Sequence, residues 1–577
     1  MEPITLTRRD LLALAASTTA VAGVLGGGTA LAAPASSKAL PAGELDRFVR
    51  AYMAAMNSPA LTLGLASAEG PIRASTYGYT DLGTKQPATP QHLFEIGSIS
   101  KSFVGVMVLQ LHQEGKVDLH KSILHYLPWL AMENDYGEVT VHHLLTHSSG
   151  MPGDAPVFPL AAGQRPKQGF KPGAHFHYSN WGYDVLGRLI ETLDQRSWNA
   201  ALSQRILAPL GMTSTTTIID SAMRTRLAQS YVPLHGDRPY PRHGALAVAG
   251  PLTVTTAAGC IASTPEDMAR YMQMFLNRGA GPNSRILSEE SFKLFSTPHI
   301  PADEFGPGAS YGYGLAVDKL DGRTRLRHTG GMVSFMSALQ IDLDAGFGAF
   351  ASVNAQLGYR PNPVVEYALR LLHARKEGKA LPPAPPADDS LSVAQPQDYA
   401  GVYTAADGRK VEVRAAADRL VMNVNGKDSP LQQAGGGAFI ADHASFALYP
   451  LVFSRAQQGE GQAAENPATS PVTELIYGPD AYTRSGHTAP APVAATPELE
   501  VYAGQYYTEN PWGGGTRVVL RRGRLWLEGV SPLTPVGDGL FRVGEDWSPE
   551  VIEFSNPVAG GMQLLTFSGM QMKRIPE

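Results

Sequence analysis

One cysteine, Cys260, stands in 577 residues, so no disulfide can form within the chain. Its setting, Ala258-Gly259-Cys260-Ile261, marks it as a small buried residue rather than a reactive thiol. Charge is sparse as well. Asp, Glu, Lys and Arg make up 17% of the chain, the net charge is -5, and no basic block occurs. A nucleic-acid partner therefore has no electrostatic footprint. Beyond Ala35 no apolar run is long enough to span a bilayer. Metal-ligand spacing is missing too: His175-x-His177 offers two ligands, and nothing nearby completes a set. No metal and no cofactor is expected.

What is present is the composition of a folded protein, 43% hydrophobic. A chain of this length exceeds one hydrophobic core and predicts roughly two to four domains. Its start reads as an address. Thr7-Arg8-Arg9-Asp10-Leu11-Leu12 opens a weakly apolar run that ends in Ala30-Leu31-Ala32, with Pro34 beyond. Paired arginines before such a stretch, and a small-residue cleavage site after it, read as a twin-arginine signal over residues 1–33. A periplasmic or secreted protein follows, with no stable membrane span after cleavage. The alternative is an uncleaved anchor, whose helix Gly26 to Thr29 would weaken. Lack of disulfides agrees with folding before export.

Two Pro/Ala-rich stretches, Leu381-Pro382-Pro383-Ala384-Pro385-Pro386 and Ala489-Pro490-Ala491-Pro492, read as extended linkers. The segments after them repeat each other. Tyr399-Ala400-Gly401-Val402-Tyr403 is echoed by Tyr502-Ala503-Gly504-Gln505-Tyr506, and Arg419-Leu420-Val421-Met422 by Arg524-Leu525-Trp526-Leu527. Ser429-Pro430-Leu431 and Phe439 match Ser531-Pro532-Leu533 and Phe541. Ordered matches at near-constant offset indicate a duplicated module. Alternating segments such as Lys410 to Arg414 and Arg517 to Arg521 predict half-buried strands, and each copy is expected to close as a small barrel.

Chemistry concentrates before the first linker. Ser98-Ile99-Ser100-Lys101 leads into Ser102 to Leu111, apolar on nearly every face and predicted to be a buried helix ending at Gly115. Ser98 at its start and Lys101 one turn on share a face. A serine hydroxyl needs a base, and a desolvated lysine can shed its own charge to become one. The helix start adds unpaired N–H groups near a developing oxyanion. Alone, S-x-x-K also fits an N-cap and a solvated lysine, but a buried lysine needs a purpose or a partner.

Tyr178-Ser179-Asn180 precedes the helical pattern Val185 to Leu193. A tyrosine near Lys101 would relay protons, and an asparagine would bind a substrate carbonyl and steady the lysine. His328-Thr329-Gly330-Gly331 lies between strand patterns, Arg323 to Arg327 and Phe335 to Leu343. Its glycines let substrate approach the backbone, the Gly331 N–H would complete an oxyanion hole with that of Ser98, and His328 would add a titratable group. Thr264-Pro265-Glu266-Asp267 reads as a helix start with a capping box.

Taken in order, S-x-x-K, Y-S-N and H-T-G resemble the motifs of the penicillin-recognising serine hydrolases. That group comprises class C β-lactamases, DD-carboxypeptidases, D-aminopeptidases and related esterases (the S12-like peptidases). Leu144-Leu145-Thr146-His147-Ser148-Ser149-Gly150 and Tyr311-Gly312-Tyr313-Gly314-Leu315 add to the likeness, which covers roughly residues 44 to 375. The resemblance implies Ser98 as nucleophile, Lys101 as base and Tyr178 as proton relay. Asn180 would orient substrate, and His328, Thr329, Gly330 and Gly331 would line the far wall. His142, His143 and His147 are expected to be structural.

The implied architecture is an α+β β-lactamase/transpeptidase-like domain over 34–380, an antiparallel sheet flanked by helices. A Pro-rich linker follows over 381–394, then a small lipocalin-like barrel over 395–486, a linker over 487–497 and a second barrel over 498–577. Class C β-lactamases carry lysine where this chain has His328. Histidine there is similar to DD-carboxypeptidases, D-aminopeptidases and esterases, so the expected activity is acyl-enzyme hydrolysis of peptides containing D-amino acids. Alternatives are an esterase, a weak β-lactamase, or a penicillin-binding sensor without turnover. Substrates would be small peptides (cell-wall peptides among them), esters or β-lactams. In D-aminopeptidases a barrel loop reaches the active site. Asn510-Pro511-Trp512-Gly513-Gly514-Gly515 is the candidate for that, against the simpler reading of a solvent-exposed turn.

Overall fold

A computed structural model describes residues 42–576, apart from 160–164, 251–255, 389, 436, 456–470, 490–492, 494–495 and 511–513. Residues 1–33, read from the sequence as a signal, lie outside the described residues. None of the described helices is long and apolar enough to cross a membrane.

The first part is built on a nine-stranded antiparallel sheet. Its order is Gln86–Pro87, Gly70–Asp81, Ala60–Ser67, Phe347–Val353, Phe335–Asp342, Arg323–Met332, Ala316–Leu320, Ser310–Tyr311, Ile300–Pro301. The chain's two ends of this domain thus meet in mid-sheet. Phe335–Asp342 is buried at every residue, as a strand must be when helices cover both faces of its sheet. Helix Asn362–Lys376 packs on the central strands, and helix Pro265–Leu276 on the Ala60–Ser67 side. That second contact is close: a Cβ on Gly64 would fall 2.3 Å from the Pro265 carbonyl oxygen. Thr264 caps this helix through the Asp267 N–H. The expected reciprocal box is not formed, because the Asp267 carboxylate instead takes hydrogen bonds from Ser214 N–H and the Thr215 hydroxyl.

Helix Ser100–Gln113 runs through the middle of the apolar core, with every residue from Ser100 to Leu111 buried. Gly115, at φ +69°, follows in the left-handed region that ends helices cheaply in glycine. Cys260 is a free, buried thiol.

Two closed eight-stranded antiparallel barrels follow, from Gly401 to Arg484 and from Gly504 to Arg574. Closure leaves neither with a bare strand edge. Their duplication extends to individual contacts. The hydroxyl of Tyr403 donates to the Tyr399 carbonyl at 2.6 Å, and that of Tyr506 to the Tyr502 carbonyl at 2.9 Å. Arg484 and Arg574, each on the last strand of its barrel, donate to the carbonyls of Ala400 and Ala503. The adjoining glycines, Gly401 and Gly504, leave room for these guanidinium groups, since a Cβ on either would come within 2.9 Å of the arginine Nε.

Candidate active site

Gly97–Ile99 forms one tight 3₁₀ turn that runs directly into the buried helix. Gly97 adopts φ +56°, and a Cβ there would lie 2.5 Å from the Gly331 nitrogen. On the other side, a Cβ on Gly330 would sit 1.8 Å from the Ile96 carbonyl oxygen. Glycine at both positions is what lets strand Arg323–Met332 lie against the turn that carries Ser98.

Lys101 is fully buried one helical turn from Ser98. Its Nζ has three oxygen neighbours: Ser98 Oγ at 3.1 Å, Asn180 Oδ1 at 2.7 Å and the Ala258 carbonyl at 2.9 Å. Burial pushes its pKa down to about 7, against the opposing pull of Asp184 and Asp154. The neutral amine has two N–H bonds and one lone pair. Asn180 Oδ1 and Ala258 O can only accept, so they take the two N–H bonds and the lone pair is left for the Ser98 hydroxyl proton. Each acceptor is itself fixed. Asn180 Nδ2 donates to Asp154, and the Ala258 N–H donates to Asp184 at 3.1 Å.

This geometry sets a pH dependence. Activity is expected to rise about tenfold per pH unit below pH 7 and to level off above it, as Lys101 sheds its proton. A kcat/KM profile between pH 5 and 9 on a neutral ester checks this.

Tyr178 and Asn180 bracket Ser179, whose hydroxyl caps helix Asn180–Asp194 through the Gly182 N–H. The Tyr178 phenol is hydrogen-bonded to Ser98, yet burial holds it well above the ordinary tyrosine value. The phenol therefore keeps its proton rather than standing as an anion. Lys101 Nζ lies 4.8 Å from the centre of the Tyr178 ring, and His147 stacks against that ring at 4.3 Å. His147 also accepts from the Ser179 N–H, so it holds the Tyr-Ser-Asn segment in place.

His328 departs from the reading of its motif. It is 2% exposed, its Nε2 is 3.0 Å from the Tyr311 hydroxyl, and burial together with the Lys101 charge takes its pKa down to about 3. It is a neutral wall residue, not a group that titrates near neutrality. Further along the strand, the two-residue turn Val333-Ser334 closes the hairpin on the Met332–Phe335 pair. Antiparallel alternation then turns the Thr329 and Gly331 N–H groups away from strand Phe335–Asp342. On that open edge, strand Ala316–Leu320 pairs only as far as Arg327. Gly331 N–H thus faces the Ser98 turn, and Thr329 stands beside it on the same edge.

Several residues at the site carry no motif. Asp154 is pushed up to about 6 by burial, against the Asn180 hydrogen bond and the Lys101 charge. Arg360 places its guanidinium against Gly331: a Cβ there would be 2.8 Å from its terminal nitrogen. Its Nε has no hydrogen-bond partner, and no carboxylate pairs with it among the described residues.

The second barrel also reaches this site, by a different loop from the one the sequence pointed to. Glu550 accepts from the Gly153 N–H at 2.6 Å, from His177 Nε2 at 2.8 Å and from the Ser568 hydroxyl at 3.2 Å. Burial works to raise its pKa, but these bonds outweigh it and hold the carboxylate below its usual value. Trp547 stacks on His175 with ring centres 4.6 Å apart. The loop before Tyr178 is thus clamped next to Asp154. Of the candidate segment 510–515, Pro511 to Gly513 lie outside the described residues. Gly514 and Gly515 pack against Gly236 and Asp237 instead.

Comparison with known proteins bears on the family and the fold of the chain. A family model described as Beta-lactamase matches residues 45–374, more than half of the chain. "Penicillin-binding protein 4" of Amycolatopsis lactamdurans is 28% identical over 306 residues, 50% of this chain and 78% of that protein. "Protein flp" of Staphylococcus aureus is 32% identical over 154 residues, which spans only 31% of its length and 24% of this chain. The solved structure of the octameric penicillin-binding protein homologue from Pyrococcus abyssi shares the fold. It matches with a TM-score of 0.54 at 21% identity, covering 92% of this chain and all of that one. With that family model matching residues 45–374, this chain belongs to the beta-lactamase family.

Proposed function

We propose that the protein is an exported serine hydrolase that forms an acyl-enzyme on Ser98 and cleaves peptides containing D-amino acids. The observation that carries the mechanism is the Lys101 amine, whose two N–H bonds are committed to Asn180 and Ala258 and whose lone pair is left for Ser98. Lys101 takes the serine proton as Ser98 Oγ attacks the substrate carbonyl. The Ser98 and Gly331 N–H groups receive the oxyanion. Tyr178 passes its proton to the departing amine and takes the one held by Lys101 in exchange. The amine of Lys101, neutral again, then takes a proton from the water that attacks the acyl group and returns it to Ser98 Oγ as the acid leaves. The twin-arginine pattern before residue 34 supports export, and the enzyme would work without metal or cofactor.

Within this class the carboxypeptidase type is favoured by Arg360. Its charge acts on Tyr178 and on His328, and its guanidinium lies against Gly331, within the site. A half-buried guanidinium without a carboxylate of its own fits a substrate carboxylate. Two peptides differing only in a free or amidated C-terminal D-alanine test this. Wild type is expected to favour the free acid by about tenfold or more, a charge-assisted pair contributing roughly 1.5–3 kcal/mol, and Arg360→Gln to remove the preference. If the preference survives that substitution, or follows a free N-terminal amine instead, the carboxypeptidase reading fails.

A further inference from the structure

Beyond the open edge of the strand that carries Gly331 lies a cavity that the reaction above does not use. Two residues past Gly331, Val333 forms part of the wall of a 760 Å³ cavity. Three units meet around it: the catalytic domain through Gln356 and the Pro233–Arg242 loop, the first barrel through Gln432 and Gln433, and the second through Gln505 and Tyr507. This volume falls in the range of ordinary ligand sites.

We propose that this cavity is a distal acyl-donor subsite, which takes the amide-rich N-terminal part of an extended peptide substrate. The inference rests on the D-peptide reading above and deepens it. Direction comes from the proton donor. Tyr178 lies by His328, with ring centres 6.1 Å apart, so the leaving group departs at the His328 end of the strand. The acyl half must then run the other way, past Gly331 towards Val333. A peptide extended along that edge advances about 3.3 Å per residue and enters the cavity within two or three residues of the scissile bond.

The lining offers amides to a peptide backbone beside its charged groups, Arg238 and Arg242 among them. Asp237 is already neutralised by Arg517 at 2.9 Å and Arg238 at 3.0 Å. The amide of Gln432 accepts from the Arg242 N–H, and that of Gln433 donates to the Ser392 carbonyl. The side chains of Gln356 and Gln505, by contrast, make no hydrogen bond among the described residues, and each offers a donor and an acceptor to a peptide backbone. Tyr507, 43% exposed, adds an apolar face beside them, with Glu509 at the rim.

The test compares N-acetyl-D-Ala-D-Ala with the same dipeptide carrying three further N-terminal residues. Wild type is expected to gain about tenfold or more in kcat/KM with length. Tyr507→Ala and Gln356→Ala should each lose most of that gain while leaving the short substrate unchanged. No gain in wild type, or a gain retained by both variants, overturns the subsite. If neither peptide is cleaved while p-nitrophenyl acetate is, the D-peptide reading has failed on its own. Calorimetric binding of the long peptide to Ser98→Ala protein then decides the subsite: binding lost with Tyr507→Ala supports it, and no binding, or binding of a wall disaccharide instead, rejects it.

Discussion

Replacing Lys101 by methionine is expected to lower kcat/KM by about three to four orders of magnitude, the range for removing an essential base. The side chain it replaces is similar in length and fully buried, so the core stays filled. The variant should differ from wild type in a second way. The folded protein holds Lys101 with a pKa of about 7, whereas the unfolded chain holds it near 10.5. Between those values folding releases a proton, so this group makes wild type more stable as pH rises through that window. The Lys101→Met protein lacks that dependence. The stability difference between variant and wild type should therefore move in favour of wild type by up to about 1.4 kcal/mol per pH unit from 7 to 10. Denaturant melts at three pH values read it. A flat difference would mean that Lys101 stays charged in the folded state.

Gly330→Ala is the other change with a large expected effect, although it adds only a methyl group. Its Cβ would stand 1.8 Å from the Ile96 carbonyl oxygen and 2.8 Å from the carbonyl carbon, both backbone atoms that cannot swing aside. The strand must shift away from the Ser98 turn, and the Gly331 N–H shifts with it. Loss of one oxyanion donor corresponds to about 100- to 1000-fold in kcat. Overpacking should cost roughly 1–3 kcal/mol in stability. Measured kcat and a denaturation midpoint separate the two. Near-normal kcat in a folded variant would show that this N–H is not part of the hole.

Sequence and structure agree where the determinants are local. Ser98 and Lys101 are one helical turn apart, so their meeting follows from helix geometry alone. Tyr178 and Asn180 were legible because the motif sets them two residues apart, just ahead of the helical pattern Val185 to Leu193. The duplicated barrels were legible from repeats that later proved to share tyrosine and arginine contacts. What depended on burial or on distant packing was not. His328 looked titratable until Tyr311 and the core around it were in place. Ala258, a direct partner of the lysine, and Asp154 and Asp184, which hold Asn180 and Ala258 in place, sit in unremarkable segments and act only because the fold brings them to Lys101. Glu550 lies 397 residues from the Gly153 amide it binds. A glycine-rich turn with one tryptophan, at 510–515, stood out instead, because sequence does not record which face of a barrel docks.

The covalent step on Ser98 is the claim on which the rest depends, and rapid-quench intact-mass analysis during turnover of a slow ester tests it most directly. Wild type should show one added acyl mass that peptide mapping places on Ser98, accumulating and then decaying, while Ser98→Ala shows neither adduct nor turnover. Turnover that survives in Ser98→Ala, or an acyl group mapped to any other residue, would contradict the account.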